Sequence, residues 1–321
     1  MGQFQLIATV KQSQGSKQPF TAAKISPNGQ KIALCNGPDI EIYDIHEKTS
    51  VLLSTLHSRP LSDLCWSPDS QCVATASDDF TVIITHVAYG ELHRLVGHTA
   101  PVTALKFTHK GNLLCSCSMD ESIKIWDTLT GSLLRTLSAH SEPVVSIDIP
   151  PHDASILSSG SYDGLIRIFD TATGHCLKTL TYDKDWQSEN GVVPISQVRF
   201  SVNGKFLLVK SLDGILKIWD FVRGKVVRTF ISGESNSLRY TCGMDFLYPA
   251  QEADDPIVVS GTETGEIVCW DSQTKQLQHR IKRKHCGNPV MDISCHGSLM
   301  CSISLCGECN LWTWVDSEST A

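Results

Sequence analysis

The stretch GHTAPVTALKFTHKGNLLCSCSMDESIKIWD, from Gly97 to Asp127, holds His98, several serines, two aspartates and a tryptophan. Those residue types are the inventory of a nucleophilic hydrolase: a hydroxyl to attack, an imidazole to take its proton and a carboxylate to orient the ring. The pairing of His98 with Asp120, however, has counterparts in His57 with Asp79 and His140 with Asp163. An enzyme needs one triad, whereas a repeated wall needs the same residues many times. The recurrence therefore argues against catalysis, and no catalytic residue is expected.

Other groups invite chemistry more weakly. Cys306-Gly-Glu-Cys309, with Cys301 and Cys286 nearby, has the spacing of half a zinc site. A structural zinc takes four ligands, commonly from two such pairs, so no metal and no cofactor is expected. Arg280-Ile-Lys-Arg-Lys284 is a basic cluster that reads first as a solvated loop, with an import signal or a phosphate contact as its functional readings. Glu252, Asp254 and Asp255 lie in an acidic loop that reads the same way, with a basic partner as the alternative.

Composition bounds the class. The 321 residues are 41% apolar and 19% charged, which is globular composition with ample material for a core. A net charge of −7 argues against nucleic-acid binding through a basic face and leaves room for a cationic partner. No apolar run reaches the roughly 18 residues of a membrane span. The start, MGQFQLIATVKQSQ, lacks the basic and long apolar regions of a secretory signal. The 13 cysteines sit mostly in apolar runs, such as Cys115 and Cys117 in LLCSCS and Cys269 in IVCWD. Buried free thiols in a reducing compartment are expected, not a disulfide framework.

The elements that must position these residues repeat along the chain. IKIWD at Ile123–Asp127 recurs as IRIFD ending at Asp170, LKIWD ending at Asp220 and IVCWD ending at Asp271. Weaker copies are IEIYD ending at Asp44, VIITH ending at His86 and NLWT ending at Thr313. The aromatic slot falls at Tyr43, Thr85, Trp126, Phe169, Trp219, Trp270 and Trp312, separated by 42, 41, 43, 50, 51 and 42 residues. Seven copies at this period predict an all-β fold, a seven-bladed β-propeller with one four-stranded blade per copy. Within a copy, apolar strands such as VTALKF, LLCSCS, SIKIWD and SLLRTL alternate with Gly, Asn and Asp turns, and no helical period is sustained.

One domain is expected over 1–321, ending in a short tail at 316–321. The last copy, about Arg283 to Val315, runs out after its third strand. Since an open strand edge invites aggregation, FQLIATV at Phe4–Val10 is predicted to supply the missing outer strand. Extra length in two copies falls in loops at Tyr182–Pro194 and Tyr248–Pro256.

Gly97-His98, Asp120 and Trp126-Asp127 stand where the WD-repeat family places its Gly-His, hairpin Asp and closing Trp-Asp, and nearly the whole chain resembles a WD-repeat propeller. In that family the His, the Asp, a strand hydroxyl and the indole form a hydrogen-bonded network within each blade. The resemblance implies this structural role for His57, Asp79, His98, Asp120, Trp126, His140 and Asp163. An imidazole or indole buried without a partner costs about 1–3 kcal/mol. Blades five to seven lack the full set, Thr264 replacing the Asp of blade six and Thr313 the terminal Asp of blade seven.

Finer segments narrow the likeness. SDLCWSPDS with TASDD, SMDESIKIWD, AHSEPV, KSLDGILKIWD and above all the run from Ser159 to Leu180 resemble the WD-repeat scaffold subunit of COMPASS-type histone methyltransferase complexes, in its fungal form. That resemblance implies a nuclear, non-catalytic subunit. It would hold a SET-domain methyltransferase and a second WD-repeat subunit together for methylation of histone H3 lysine-4. A histone tail or nucleosome would be met indirectly.

Propellers carry function at the positions their repeat leaves free. The residue before each hairpin Asp reads Asp78, Met119, Tyr162, Leu212 and Glu263, and an early inner-strand residue reads Thr21, Ser62, Thr103, Val145, Ser196, Gly243 and Met291. These are expected at the mouth of the central channel, as a rim suited to a peptide. The resemblance matches Asp78 and Ser62 to a carboxylate and serine beneath a bound arginine, and Tyr162 and Tyr240 to rim tyrosines. The two ring positions that sandwich the arginine are Thr103 and Gly243 here. Losing both faces of a cation–π sandwich removes about 1–4 kcal/mol, so a remodelled channel contact is expected.

The second implied site is an outer cleft between blades five and six, for an acidic-hydrophobic segment of the second WD-repeat subunit. There Phe206 and Ile218 are apolar anchors, Arg228 offers a charge-assisted bond, and Asn203 and Gln273 offer backbone hydrogen bonds. Strand packing is the alternative for Ile218, and plain exposure for Arg228 and Gln273. Competing classes are a ubiquitin-ligase substrate receptor, a G-protein β subunit and a hydrolytic propeller. They call respectively for a flanking adaptor domain, an N-terminal coiled-coil helix and an isolated polar cluster in the channel, and none is read here.

Overall fold

The computed structural model describes residues 2–12, 18–138, 140–181, 192–231, 239–249, 256–282, 285 and 287–315. Most of the two predicted long loops (182–191 and 250–255, with Glu252, Asp254 and Asp255), Arg283, Lys284, Cys286 and the tail 316–321 lie outside the described residues.

Strand β1 (Gln3–Lys11) precedes blade one, which is β2 (Ala23–Ile25), β3 (Lys31–Asn36), β4 (Asp39–Asp44) and β5 (Thr49–Leu53). Blade two is β6 (Leu61–Trp66), β7 (Cys72–Ser77), β8 (Thr81–His86) and β9 (Gly90–Val96). Blade three is β10 (Val102–Phe107), β11 (Leu113–Ser118), β12 (Ser122–Asp127) and β13 (Leu133–Ser138). Blade four is β14 (Val144–Asp148), β15 (Ile156–Ser161), β16 (Leu165–Asp170) and β17 (Cys176–Thr181). Blade five is β18 (Ile195–Phe200), β19 (Phe206–Ser211), β20 (Ile215–Asp220) and β21 (Lys225–Ile231). Blade six is β22 (Met244–Leu247), β23 (Ile257–Gly261), β24 (Ile267–Asp271) and β25 (Leu277–Ile281). Blade seven contains β26 (Val290–His296), β27 (Leu299–Ser304) and β28 (Glu308–Val315).

Every blade is a four-stranded antiparallel meander, and the fold class is the seven-bladed β-propeller. Blade seven reaches four strands because β1 pairs with β28, from Gln3 opposite Val315 to Lys11 opposite Glu308. The chain packs as two compact units, Thr55–Leu238 with blades two to five, and Met1–Ser54 with Arg239–Ala321, carrying blades one, six and seven.

In the first of these units the middle strands are buried on both faces, which is why they read as continuous apolar runs. Successive strand residues point to opposite sides. Leu114 and Trp126 pack with Ala74, Ile84 and Leu95 of blade two. Their neighbours Cys115, Cys117, Ile123 and Ile125 pack with Val144, Leu157 and Phe169 of blade four. Ile166, Ile168 and Leu180 then meet Leu207, Val209 and Trp219 of blade five. Full burial of each such aliphatic or aromatic side chain stabilises by about 1.5–3 kcal/mol. Burial also pushes the thiols of Cys115 and Cys117 up to about 12, and these two cysteines are free.

In the other unit, Cys301, Ile303, Cys309 and Leu311 of blade seven pack against Phe20, Ile32 and Leu34. Ile293, Met300 and Trp312 pack against Val259, Ile267 and Cys269 of blade six.

The closing Asp of the repeated phrase shapes the outer hairpin. Asp127 Oδ1 accepts the amides of Leu129 at 2.8 Å and Thr130 at 3.3 Å, and the Gly131 amide reaches the Asp127 carbonyl at 2.9 Å. Gly131 has φ 69°, a left-handed conformation open to glycine at no steric cost. Asp170 closes its turn in the same way, bonding the amides of Ala172 and Thr173.

Candidate functional site

The hydrolase-like residues of blade three do meet. His98 Nδ1 lies 2.9 Å from Asp120 Oδ2, and His98 Nε2 lies 2.9 Å from Ser116 Oγ. The partners set the tautomer: Nδ1–H donates to the carboxylate, and Nε2 accepts the Ser116 hydroxyl proton. This is the order of a Ser-His-Asp triad. Ser116, however, is fully buried, and its oxygen also accepts the Trp126 indole N–H at 2.9 Å. No substrate carbonyl can approach it.

Asp120 further accepts the Thr99 amide at 3.0 Å and the Ser122 hydroxyl at 2.6 Å. Burial works to raise its pKa, but the bonds from Ser122, Thr99 and His98 outweigh burial and hold it at about 2. Burial pushes the His98 ring down, which keeps it neutral.

Blades two and four carry the same wiring. His57 lies 2.9 Å from Asp79 and 3.0 Å from Thr75 Oγ1, and His140 lies 2.9 Å from Asp163 and 2.7 Å from Ser159 Oγ. Asp79 is likewise held at about 2, hydrogen bonds from Thr81, Ser58 and His57 overcoming burial. In blade five, Val209 occupies the place of Ser116, and the buried Trp219 Nε1 has no hydrogen-bond partner among the described residues.

Blade seven has a network that the motif pattern passes over. His285 Nε2 lies 2.9 Å from Ser302 Oγ, which accepts the Trp312 indole at 3.0 Å. Asn310 Nδ2 sits 3.4 Å from His285 Nδ1, while its Oδ1 accepts the Thr9 hydroxyl at 2.7 Å. The sequence signal was a histidine in the turn before the inner strand, with Trp312 in the aromatic slot.

The inner strands carry the expected channel positions on β-bulges. Register shifts fall between Leu61 and Asp63, Val102 and Ala104, Val144 and Ser146, and Ile195 and Gln197, which makes Ser62, Thr103, Val145 and Ser196 the extra residues. A bulge re-aims a side chain. Here it turns hydroxyls into staples: Ser62 donates to the Val102 carbonyl of the next blade, and Thr103 lies 2.6 Å from the Val144 carbonyl. Both hydroxyls are thus engaged between blades.

Of the other positions expected at the channel mouth, Asp78 and Tyr162 are half-buried and Met119 is 47% exposed. Burial raises the Tyr162 phenol pKa. Each of these three donates its amide to a proline carbonyl just before the inner strand, Pro60 at 3.1 Å, Pro101 at 2.9 Å and Pro143 at 3.1 Å. That recurring proline is a second sequence signal outside the WD phrase.

In the other unit, Tyr240 is exposed, and its amide bonds Glu263 Oε1 at 2.7 Å. A Cβ on Gly243 would come 2.4 Å from the Ile293 backbone nitrogen, so this backbone admits no ring at that position.

Carboxylates clasp neighbouring inner strands. Asp63 accepts the Leu105 amide at 3.2 Å. Asp148 accepts the Phe200 amide at 2.7 Å and lies 2.9 Å from Lys106 Nζ and 3.6 Å from Arg199 Nη1. In the other unit, Asp245 accepts the Cys295 amide at 2.9 Å, and Asp292 accepts that of Ala23 at 3.0 Å while pairing with Lys24.

On blade five, Ile218 pairs with Leu208 on one side and Arg228 on the other, and Phe206 lies opposite Asp220. Phe206, Ile218 and Arg228 therefore share one face, opposite the Leu207–Val209–Trp219 face packed on blade four. Phe206 and Arg228 are half-buried and Ile218 is buried. Asn203 Oδ1 accepts the Ser201 hydroxyl at 2.7 Å and the Lys205 amide at 3.1 Å, which shapes the turn leading to Phe206. Gln273 belongs to the other unit, where it is exposed and its amide bonds Asp271 Oδ1 at 2.8 Å. Among the described residues no cluster of three or more His, Cys, Asp or Glu is arranged to hold a metal ion.

Repeated four-stranded blades and the buried polar networks inside them define a propeller of the WD-repeat class, and the chain belongs to the WD-repeat family. Residues 50–85, 90–127, 131–170 and 174–220 match the WD domain, G-beta repeat model. Within the family, the chain is 60% identical over 317 residues to the COMPASS component SWD3 of Saccharomyces cerevisiae, covering 97% of this chain and 100% of that protein. Shorter matches are to the nuclear distribution protein PAC1 of Candida albicans (28% over 146 residues, 44% of this chain and 30% of that one). The eukaryotic translation initiation factor 3 subunit I of Saccharomyces cerevisiae is 36% identical over 124 residues, 39% of this chain and 33% of its own.

Proposed function

We propose that the chain is a non-catalytic scaffold subunit of a nuclear, COMPASS-type histone H3 lysine-4 methyltransferase complex, binding its SET-domain methyltransferase and its second WD-repeat subunit. The observation that carries this reading is the 60% identity with COMPASS component SWD3 over the whole of that protein. Likeness to the PAC1 and initiation-factor proteins is 28% and 36%, over 146 and 124 residues. The SWD3 match covers the whole of that protein, whereas the shorter ones cover 30% and 33% of theirs.

The chemistry supports binding over catalysis. The imidazoles of His57, His98 and His140, and the carboxylates facing them, are engaged inside their own blades. In this reading the methyltransferase meets the rim at Asp78, Met119 and Tyr162. An arginine sandwich is not part of that contact, because Thr103 bonds the next blade and Gly243 has no room for a ring. The second WD-repeat subunit meets Phe206 and Arg228, with Ile218 supporting them from within the sheet and Asn203 contributing at the flank.

The test is a binding measurement with purified proteins. Phe206→Ala combined with Arg228→Ala is expected to weaken binding of the second WD-repeat subunit at least about tenfold, or 1.4 kcal/mol, with circular dichroism and melting unchanged. Wild-type affinity in the double variant would overturn the assignment of this face.

A further inference from the structure

The outer surface of the Thr55–Leu238 unit carries a groove of about 460 Å3 between blades three and four. One wall is β13, through Leu134, Arg135 and Leu137, and the other is the turn from β16 to β17, through His175 and Cys176, with Phe169 beneath. β13 is the last strand of its sheet and pairs only with β12. Alternate backbone N–H and C=O groups along its far edge therefore have no strand partner. Leu133 and Leu134 are 43% and 50% exposed. Gly174, at φ 79°, keeps the groove's base close-fitting, since a Cβ there would fall 2.8 Å from Leu137.

Charge distinguishes this groove. Arg94 on β9 and Arg280 on β25 each have a carboxylate, Glu91 at 3.3 Å and Glu266 at 3.2 Å. Among the described residues, Arg135 bonds only the Thr173 carbonyl, at 3.5 Å, and no Asp or Glu lines the groove. On a chain of net charge −7, an unneutralised guanidinium stands beside an open strand edge and exposed leucines. Guanidinium pairs best with carboxylate, a free edge with an extended backbone, and exposed leucines with aliphatic side chains.

We propose that this groove docks an extended segment of a partner protein in which a carboxylate neighbours aliphatic residues. The segment's backbone adds to the free edge of β13, its carboxylate meets Arg135, and an aliphatic side chain covers Leu134. The groove shares no residue with the channel rim or with the Phe206 face, and the proposal does not rest on membership of the methyltransferase complex.

The experiment places the photo-cross-linker p-benzoylphenylalanine at position 134 of the full chain, expressed at its native level. The irradiated assembly is purified and the cross-linked peptide identified by mass spectrometry. The expected result is a cross-link to a partner segment combining Asp or Glu with aliphatic residues. Its yield should drop at least about tenfold in Arg135→Glu and clearly in the milder Arg135→Gln, with melting unchanged in both. No cross-link, a cross-link to a second copy of this chain or to a basic segment, or a yield indifferent to both Arg135 variants would each overturn the proposal. A conforming segment from a protein outside the methyltransferase complex upholds the groove and counts against the function proposed above.

Discussion

Ser116 serves two buried groups at once, accepting the Trp126 indole and bonding His98. Ser116→Ala leaves the Trp126 indole N–H and the His98 Nε2 without their partner and is expected to cost about 1–3 kcal/mol for each, read as a lower denaturation midpoint. The reverse experiment lies in blade five, where Trp219 Nε1 is buried beside Val209 without a hydrogen-bond partner among the described residues. Blade two already uses a threonine, Thr75, at that position. Val209→Thr should therefore hold or raise stability, although a hydroxyl placed in an apolar core ordinarily lowers it; a clear loss of melting temperature contradicts this. The histidines set a pH dependence. Burial lowers His285 to about 4, so its folded pKa lies below the unfolded value near 6.5. Its contribution is complete above about 6.5 and is lost as pH falls toward 4, by on the order of 3 kcal/mol. His57 and His98, also lowered by burial, act in the same direction. Asp79 and Asp120, held at about 2, add stability present above about 4 that is lost as pH falls through 2. Unfolding free energies measured from pH 7 to pH 3 should fall in two stages, and a flat profile between 6.5 and 4 contradicts the assignment. The His-Asp pairs were legible because they repeat. His285 was not, because its partner is Asn310 and not the hairpin aspartate the motif leads one to seek.

The IKIWD phrase marks the third strand of a blade because both faces of that strand are buried, and an apolar run is the imprint of double burial. Bulges and clasps leave no such imprint. Thr103 reads as a rim residue by position, but the bulge turns its hydroxyl onto the Val144 carbonyl, and that depends on a neighbouring blade 41 residues away. The carboxylate clasps escape the repeat for the same reason, since Asp148 answers to Lys106 and Arg199 on the flanking blades. Asp148→Ala leaves two cations beside an empty, buried site and is expected to cost about 3–5 kcal/mol. Urea denaturation measures this; a loss below 1 kcal/mol would show that the clasp contributes little.

The arithmetic of the period made the seven blades legible from the sequence, together with the strand that completes the last one. Pairing of β1 with β28 buries Val10 and brings Lys11 to 3.2 Å from Glu308. Removing residues 2–12 exposes the edge of β28, so the shortened chain should aggregate and lose its cooperative melt, as size-exclusion chromatography and calorimetry would record. Partners leave a fainter trace than blades, because rim and flank residues are free of the repeat and only likeness to a whole relative constrains them. The most direct measurement is affinity purification of the chain at its native level, followed by mass spectrometry. A SET-domain methyltransferase and a second WD-repeat subunit are predicted to co-purify in stoichiometric yield. Recovery of the chain alone, or with a stable set of partners lacking both, would contradict the account.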